Sequence, residues 1–97
     1  MMIQITYHRE EGRIHITGHA GYAEAGKDIV CAAISALYET LALHELTLSG
    51  YDKAQDIRFV RAIPPAVTVM QPILDAFAAG MKQIAKQYPE HVKVYRE

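Results

Sequence analysis

The stretch GHAGYAEAGKDIVCAA, residues 18–33, fixes the fold class by the way it is read. Gly21 to Lys27 fits G-x-x-x-x-G-K, the opening of a phosphate-cradling loop that leads from a strand into a helix. The same stretch begins with Gly18 and His19 and reaches Cys31, the only cysteine of the chain. On that second reading the glycines belong to a loop joining a base to a thiol nucleophile.

The residue after Lys27 separates the two readings. A phosphate loop places Ser or Thr there to reach a magnesium ion, and this chain has Asp28, whose charge repels phosphate. Length argues the same way. Ninety-seven residues, about half of them hydrophobic, make a single domain over 1–97 with one modest core, too small for a nucleotide-hydrolysing parallel sheet.

Upstream of the loop, Ile3 and Ile5 alternate with Gln4 and Thr6, and Ile14 and Ile16 alternate with His15 and Thr17. With the turn EEG between them, Met2 to His8 and Arg13 to His19 read as a β-hairpin. Downstream, Asp28 is a good N-cap, since its carboxylate accepts first-turn amides. From Ile29 the pattern is helical, with Ile29, Ala33, Leu37 and Leu41 on one face, Ile34 and Leu48 beside it, and Ser49-Gly50 as the stop.

Asp56 to Ile63 reads as a third strand ended by Pro64-Pro65. A second helix is predicted from about Ala66 to Tyr88 on the stripe Met70, Ile73, Phe77, Met81, Ile84 and Tyr88, interrupted early by Pro72. His91 to Tyr95 returns as the last strand. The order ββαβαβ predicts an α+β two-layer sandwich, a mixed four-stranded sheet with two helices on one face.

Composition narrows the function. Ten basic residues against eleven acidic ones supply no field for direct nucleic-acid binding. The N-terminal stretch lacks the pattern of a secretory signal, and no apolar run approaches the ~18 residues of a membrane helix. A single cysteine forms no internal disulfide and suits a reducing cytoplasm. A zinc site on His19 and Cys31 lacks two further ligands, so neither metal nor cofactor is expected.

Cys31 falls at the third helical position, where first-turn amides and the helix dipole favour a thiolate. His19 ends a strand at the sandwich edge where that helix begins, so imidazole and thiol can meet, the imidazole as general base and acid. Against this stands a plain reading: Cys31 a small core residue and His19 a solvated strand end. Asp28 either orients one of the pair or only caps the helix. Ser35, one turn past Cys31, either faces the site or bonds back to its own helix.

Gly18-His19-Ala20, a glycine-bearing loop, Asp28-Ile29-Val30-Cys31-Ala32 and Ser35 together resemble the ribosomal-processing cysteine protease family, Prp. The resemblance implies an endopeptidase with Cys31 as nucleophile and His19 as its base, Asp28 and Ser35 supporting. It implies a substrate loop bearing Gly18, Ala20, Gly21, Tyr22 and Gly26, mobile between base and nucleophile. It further implies a cytoplasmic homodimer that removes the N-terminal extension of a large-subunit ribosomal protein, the twenty-seventh of its series. Within residues 47–63 only one strand is evident, where some relatives have two. Two other readings stay open: a non-catalytic ribosome-assembly or peptide-binding module with a structural cysteine, and a thiol hydrolase or acyltransferase acting on small substrates.

Overall fold

The computed structural model describes residues 2–24 and 28–97. Strands β1 (Ile3–His8) and β2 (Arg13–Thr17) form the expected hairpin. Helix α1 (Ile29–Ala42) follows, then strands β3 (Thr47–Asp52) and β4 (Ile57–Ala62). A 3₁₀ turn at Pro64–Ala66 leads into helix α2 (Val67–Gln87), and strand β5 (Val92–Arg96) closes the sheet.

The sheet has five strands, in the order β3-β4-β2-β1-β5, and not the four predicted. Only the β1–β5 pair is parallel; the other three pairs are antiparallel. The additional strand is β3, in the segment that the sequence reading gave to the end of the first helix. Helix α1 stops at Ala42 because the next residue, Leu43, is 86% exposed and the chain turns at once. The Thr47 hydroxyl donates to the His44 carbonyl at 2.7 Å and lies 3.3 Å from the Leu41 carbonyl, capping the helix end.

Strand β3 hides from pattern analysis because it is an edge strand. Its residues on the helix side of the sheet, Thr47, Ser49 and Tyr51, pair with Ala62, Val60 and Arg58, and they are polar or amphipathic. Gly50 has a packing reason: the Phe59 ring of the neighbouring strand lies 3.0 Å from where a Cβ would stand.

Both helices cover one face of the sheet, as expected. Alternate residues Ile3, Ile5, Tyr7, Ile14, Ile16, Val60 and Ala62 point inward and meet Val30, Ile34, Leu41, Met70, Leu74 and Met81 in one core. The buried stripe of α1 is Val30, Ile34, Tyr38 and Leu41. Ile29, placed on that stripe by its spacing, is 56% exposed at the helix start. Leu37 instead packs against Gly80, where the absent side chain lets the two helices approach. Helix α2 runs through Pro72, which is exposed in its second turn.

One polar cluster fastens α2 to the first strand. The buried Tyr7 donates its hydroxyl to Asp75 at 2.6 Å, and Arg9 grips the same carboxylate through Nε at 3.0 Å and Nη2 at 3.1 Å. Those bonds from Arg9, then Tyr7, hold the Asp75 carboxyl below its ordinary range, and burial with the Asp75 bond pushes the Tyr7 hydroxyl well above its own.

Candidate active site

The loop into α1 is shaped by two glycines. Gly18 sits at φ +85°, and a side chain there would collide with the Met2 carbonyl oxygen; Gly21 sits at φ +64°. Between them the chain dips inward, and Ala20 is fully buried. Its amide donates to the Cys31 sulfur at 3.3 Å. Cys31 is the third residue of α1, half-buried and unpaired with any other cysteine.

Cys31, His19, Ser35 and Gly18 line one cleft of about 350 Å³, with Ile16 as its floor and Tyr51, Asp56 and Arg58 as its far wall. The residues named from sequence as base, nucleophile and hydroxyl thus share one cavity. His19 is exposed at its edge. A larger groove, about 540 Å³, lies between α2 and β5, but its walls carry Lys82, Lys86 and Lys93 and neither a thiol nor a histidine. The smaller cleft is the one that holds the candidate nucleophile and base.

Asp28 stands beside the cleft rather than in its wall. Its carboxylate accepts the Cys31 amide at 2.9 Å through Oδ1 and the Tyr22 amide at 3.1 Å through Oδ2. Burial works to raise its carboxyl, but these amide bonds outweigh it and hold the group below its usual range. It therefore caps the helix and tethers the loop at once, and it takes up the Cys31 amide as an oxyanion donor. Among the described residues, no side chain hydrogen-bonds the His19 ring.

Tyr22, in the loop that the resemblance makes mobile, has ring partners: it packs edge-on against Tyr88 at 5.4 Å and His91 at 5.3 Å between centroids. The Ala20 carbonyl in turn lies 2.8 Å from Nδ1 of His91. Gly26, with residues 25 and 27, lies outside the described residues. Ser35 does not bond back to its helix; its Oγ accepts from Arg58 Nη1 at 3.4 Å.

Arg58 is the feature sequence reasoning missed. Its guanidinium lies over the Tyr38 ring at 5.7 Å and forms no ion pair among the described residues. A signal existed: Arg58 shares the inward period of Val60 and Ala62, where an apolar residue is the rule. Asp56, beside it, holds a left-handed φ of 54° and accepts the Tyr51 hydroxyl at 2.8 Å. No group of acidic, His or Cys residues that could hold a metal occurs among the described residues.

The chain matches the family model described as cysteine protease Prp over residues 2–93. It is 26% identical over 107 residues to the ribosomal processing cysteine protease Prp of Bacillus subtilis (strain 168), covering 96% of each chain. Two solved structures share the fold. One is SMU.848 of Streptococcus mutans, 29% identical, with a TM-score of 0.72 over 98% of this chain and 93% of that one. The other is the Staphylococcus aureus ribosomal processing protease Prp with a covalently linked product peptide, 24% identical, with a TM-score of 0.75 over 99% and 98%.

Proposed function

The chain belongs to the cysteine protease Prp family, and from that premise we propose that it is a ribosomal-processing endopeptidase working through Cys31 and His19. The observation that carries this reading is the shared cleft: thiol and imidazole line one cavity, with a backbone amide aimed at the sulfur. His19 takes the thiol proton as sulfur bonds to the scissile carbonyl carbon. The C–N bond then breaks, and His19 returns the proton to the leaving amine. Water hydrolyses the thioester and restores the thiol.

Negative charge on the sulfur is favoured by the Ala20 amide and by the start of α1. With the Cys31 amide held by Asp28, the Ala20 amide beside the sulfur can turn to the oxyanion once the negative charge has passed from sulfur to oxygen. The substrate is the N-terminal extension of the twenty-seventh protein of the large ribosomal subunit, cut after bulky apolar residues. A homodimer acting in the cytoplasm completes the reading, supported by the family likeness; no helix among the described residues is long and apolar enough to cross a membrane.

The test is to incubate the protein with the precursor ribosomal protein and read the products by mass spectrometry. A single new N-terminus near the end of the extension is expected. An uncut precursor in the presence of a folded, reduced enzyme would remove the proposal.

A further inference from the structure

His91 lies at the far end of the chain from the cleft, yet two side-chain contacts tie it to the loop that carries the site. Its backbone is fixed on both sides: its amide donates to the Tyr88 carbonyl at 2.9 Å, and its carbonyl accepts the Ile3 amide at 2.9 Å. Its side chain reaches inward, Nδ1 against the Ala20 carbonyl at 2.8 Å and the ring edge-on to Tyr22 at 5.3 Å. Ala20 is the residue whose amide meets the Cys31 sulfur. One residue of the loop is thus gripped at its carbonyl by His91 and presents its amide to the nucleophile.

We propose that His91 is a positioning residue: by holding the Ala20 carbonyl it aims the Ala20 amide at the Cys31 sulfur. The inference rests on Cys31 being the nucleophile of the proposed reaction. The physical case is one of preorganisation. A loop flanked by glycines in left-handed conformations has little stiffness of its own. A donor that must find the sulfur afresh in each turnover stabilises charge there less than one held in place. A carbonyl oxygen only accepts, so Nδ1 is the donor in this contact.

Among the described residues, no other group bonds the Ala20 carbonyl. Asp28 holds the amide of Tyr22, two residues further on, and the left-handed turn at Gly18 comes two residues before Ala20. Ala20 has no side-chain polar group with which to anchor itself.

Two substitutions separate positioning from bulk packing. His91→Phe keeps a ring beside Tyr22 and removes the donor; His91→Asn removes the ring and places an amide nitrogen close to where Nδ1 stood. The first readout is the rate at which iodoacetamide alkylates Cys31. His91→Phe is expected to slow it about 3- to 10-fold, the worth of one hydrogen bond, and His91→Asn to stay within about 2-fold of the parent. On a cleavable peptide, kcat should follow the same order while KM stays unchanged.

A folded His91→Phe that reacts at the parent rate would overturn the proposal, and so would a His91→Asn as slow as His91→Phe. Should the phenylalanine variant not fold, His91→Ala, which only removes atoms, carries the same comparison. If the parent cleaves no peptide at all, the protease reading fails, while the alkylation series still decides whether His91 positions the amide.

Discussion

The Asp28 carboxylate bonds the amide of Cys31 with one oxygen and the amide of Tyr22 with the other. Helix start and loop are therefore tied through a single side chain, and the two roles can be separated by substitution. Asp28→Asn keeps one acceptor oxygen for the cap but replaces the other with an amino group, which cannot accept from Tyr22. Asp28→Ala should cost about 1 kcal/mol of stability, as lost N-caps do, and Asp28→Asn distinctly less. Both should lower kcat. Urea unfolding with peptide kinetics checks this; equal kcat in parent and Asp28→Asn would show that the loop tether is idle.

Cys31→Ala should abolish cleavage and leave the fold intact. The side chain removed is small, half-buried and near a helix end, so the stability cost should be about 1 kcal/mol or less. Mass spectrometry of the precursor together with the Tm decides it. Measurable turnover by the folded variant would end the assignment of Cys31 as nucleophile.

His19→Ala should lose nearly as much activity as Cys31→Ala, and the double substitution no more than either alone. The two groups act as a unit, so their losses do not add. Since His19 is exposed and unbonded among the described residues, its removal should leave the Tm unchanged within about 0.5 kcal/mol of stability.

Acid should weaken the fold partly through Asp75. Arg9 and Tyr7 depress its carboxyl in the folded state, so the stability it contributes is complete above the unfolded value of about 3.9. That contribution disappears as the pH falls through the lower folded value. Asp75→Asn should therefore be less stable at neutral pH and show a shallower loss below about pH 4. Urea titrations across that range measure it, and identical acid slopes in both proteins would remove Asp75 from the account.

The substrate side of the cleft is open to the same treatment. Ala32 and Ala33, next to Cys31 in the chain, carry little bulk, and in a peptide with phenylalanine as the bulky apolar residue before the cut, replacing that phenylalanine with alanine should lower kcat/KM by at least ~100-fold, since burying a phenylalanine is worth a few kcal/mol. Synthetic peptides varied at that one position provide the measurement. Equal cleavage of the aromatic and alanine peptides would discard this substrate while sparing the chemistry at Cys31.

The legible parts of this protein were those with local causes. Alternation in Ile3–His8 and Arg13–Thr17 marks the hairpin, Asp28 marks the helix start, and the spacing of His19, Asp28, Cys31 and Ser35 carries the family likeness. Strand β3 was illegible because its helix-side residues are polar, while Leu48, the one apolar residue that looked helical, points outward and is exposed. Ile29 misled for a different reason: the series Ile29, Ala33 and Leu37 starts one residue out of phase with the buried stripe Val30, Ile34 and Tyr38, so Ile29 turns away from the sheet. The cleft wall of Tyr51, Asp56 and Arg58 depends on strand pairing, and the grip of His91 on Ala20 joins residues seventy-one positions apart. No window of sequence contains either.

The parallel pairing of β1 with β5, Ile3 against Val92, sets the order in which the fold is completed. Contacts between residues so distant along the chain close the longest loop in the fold and come at the greatest entropic expense, which delays them during folding. During synthesis β1, the hairpin and α1 leave the ribosome long before β5 does. A nascent chain can therefore hold its thiol and imidazole on formed elements while the loop between them is still unfastened. The His91 contact to the Ala20 carbonyl can form only when the segment leading into β5 is in place, so the loop beside the thiol is among the last parts of the fold to be fastened.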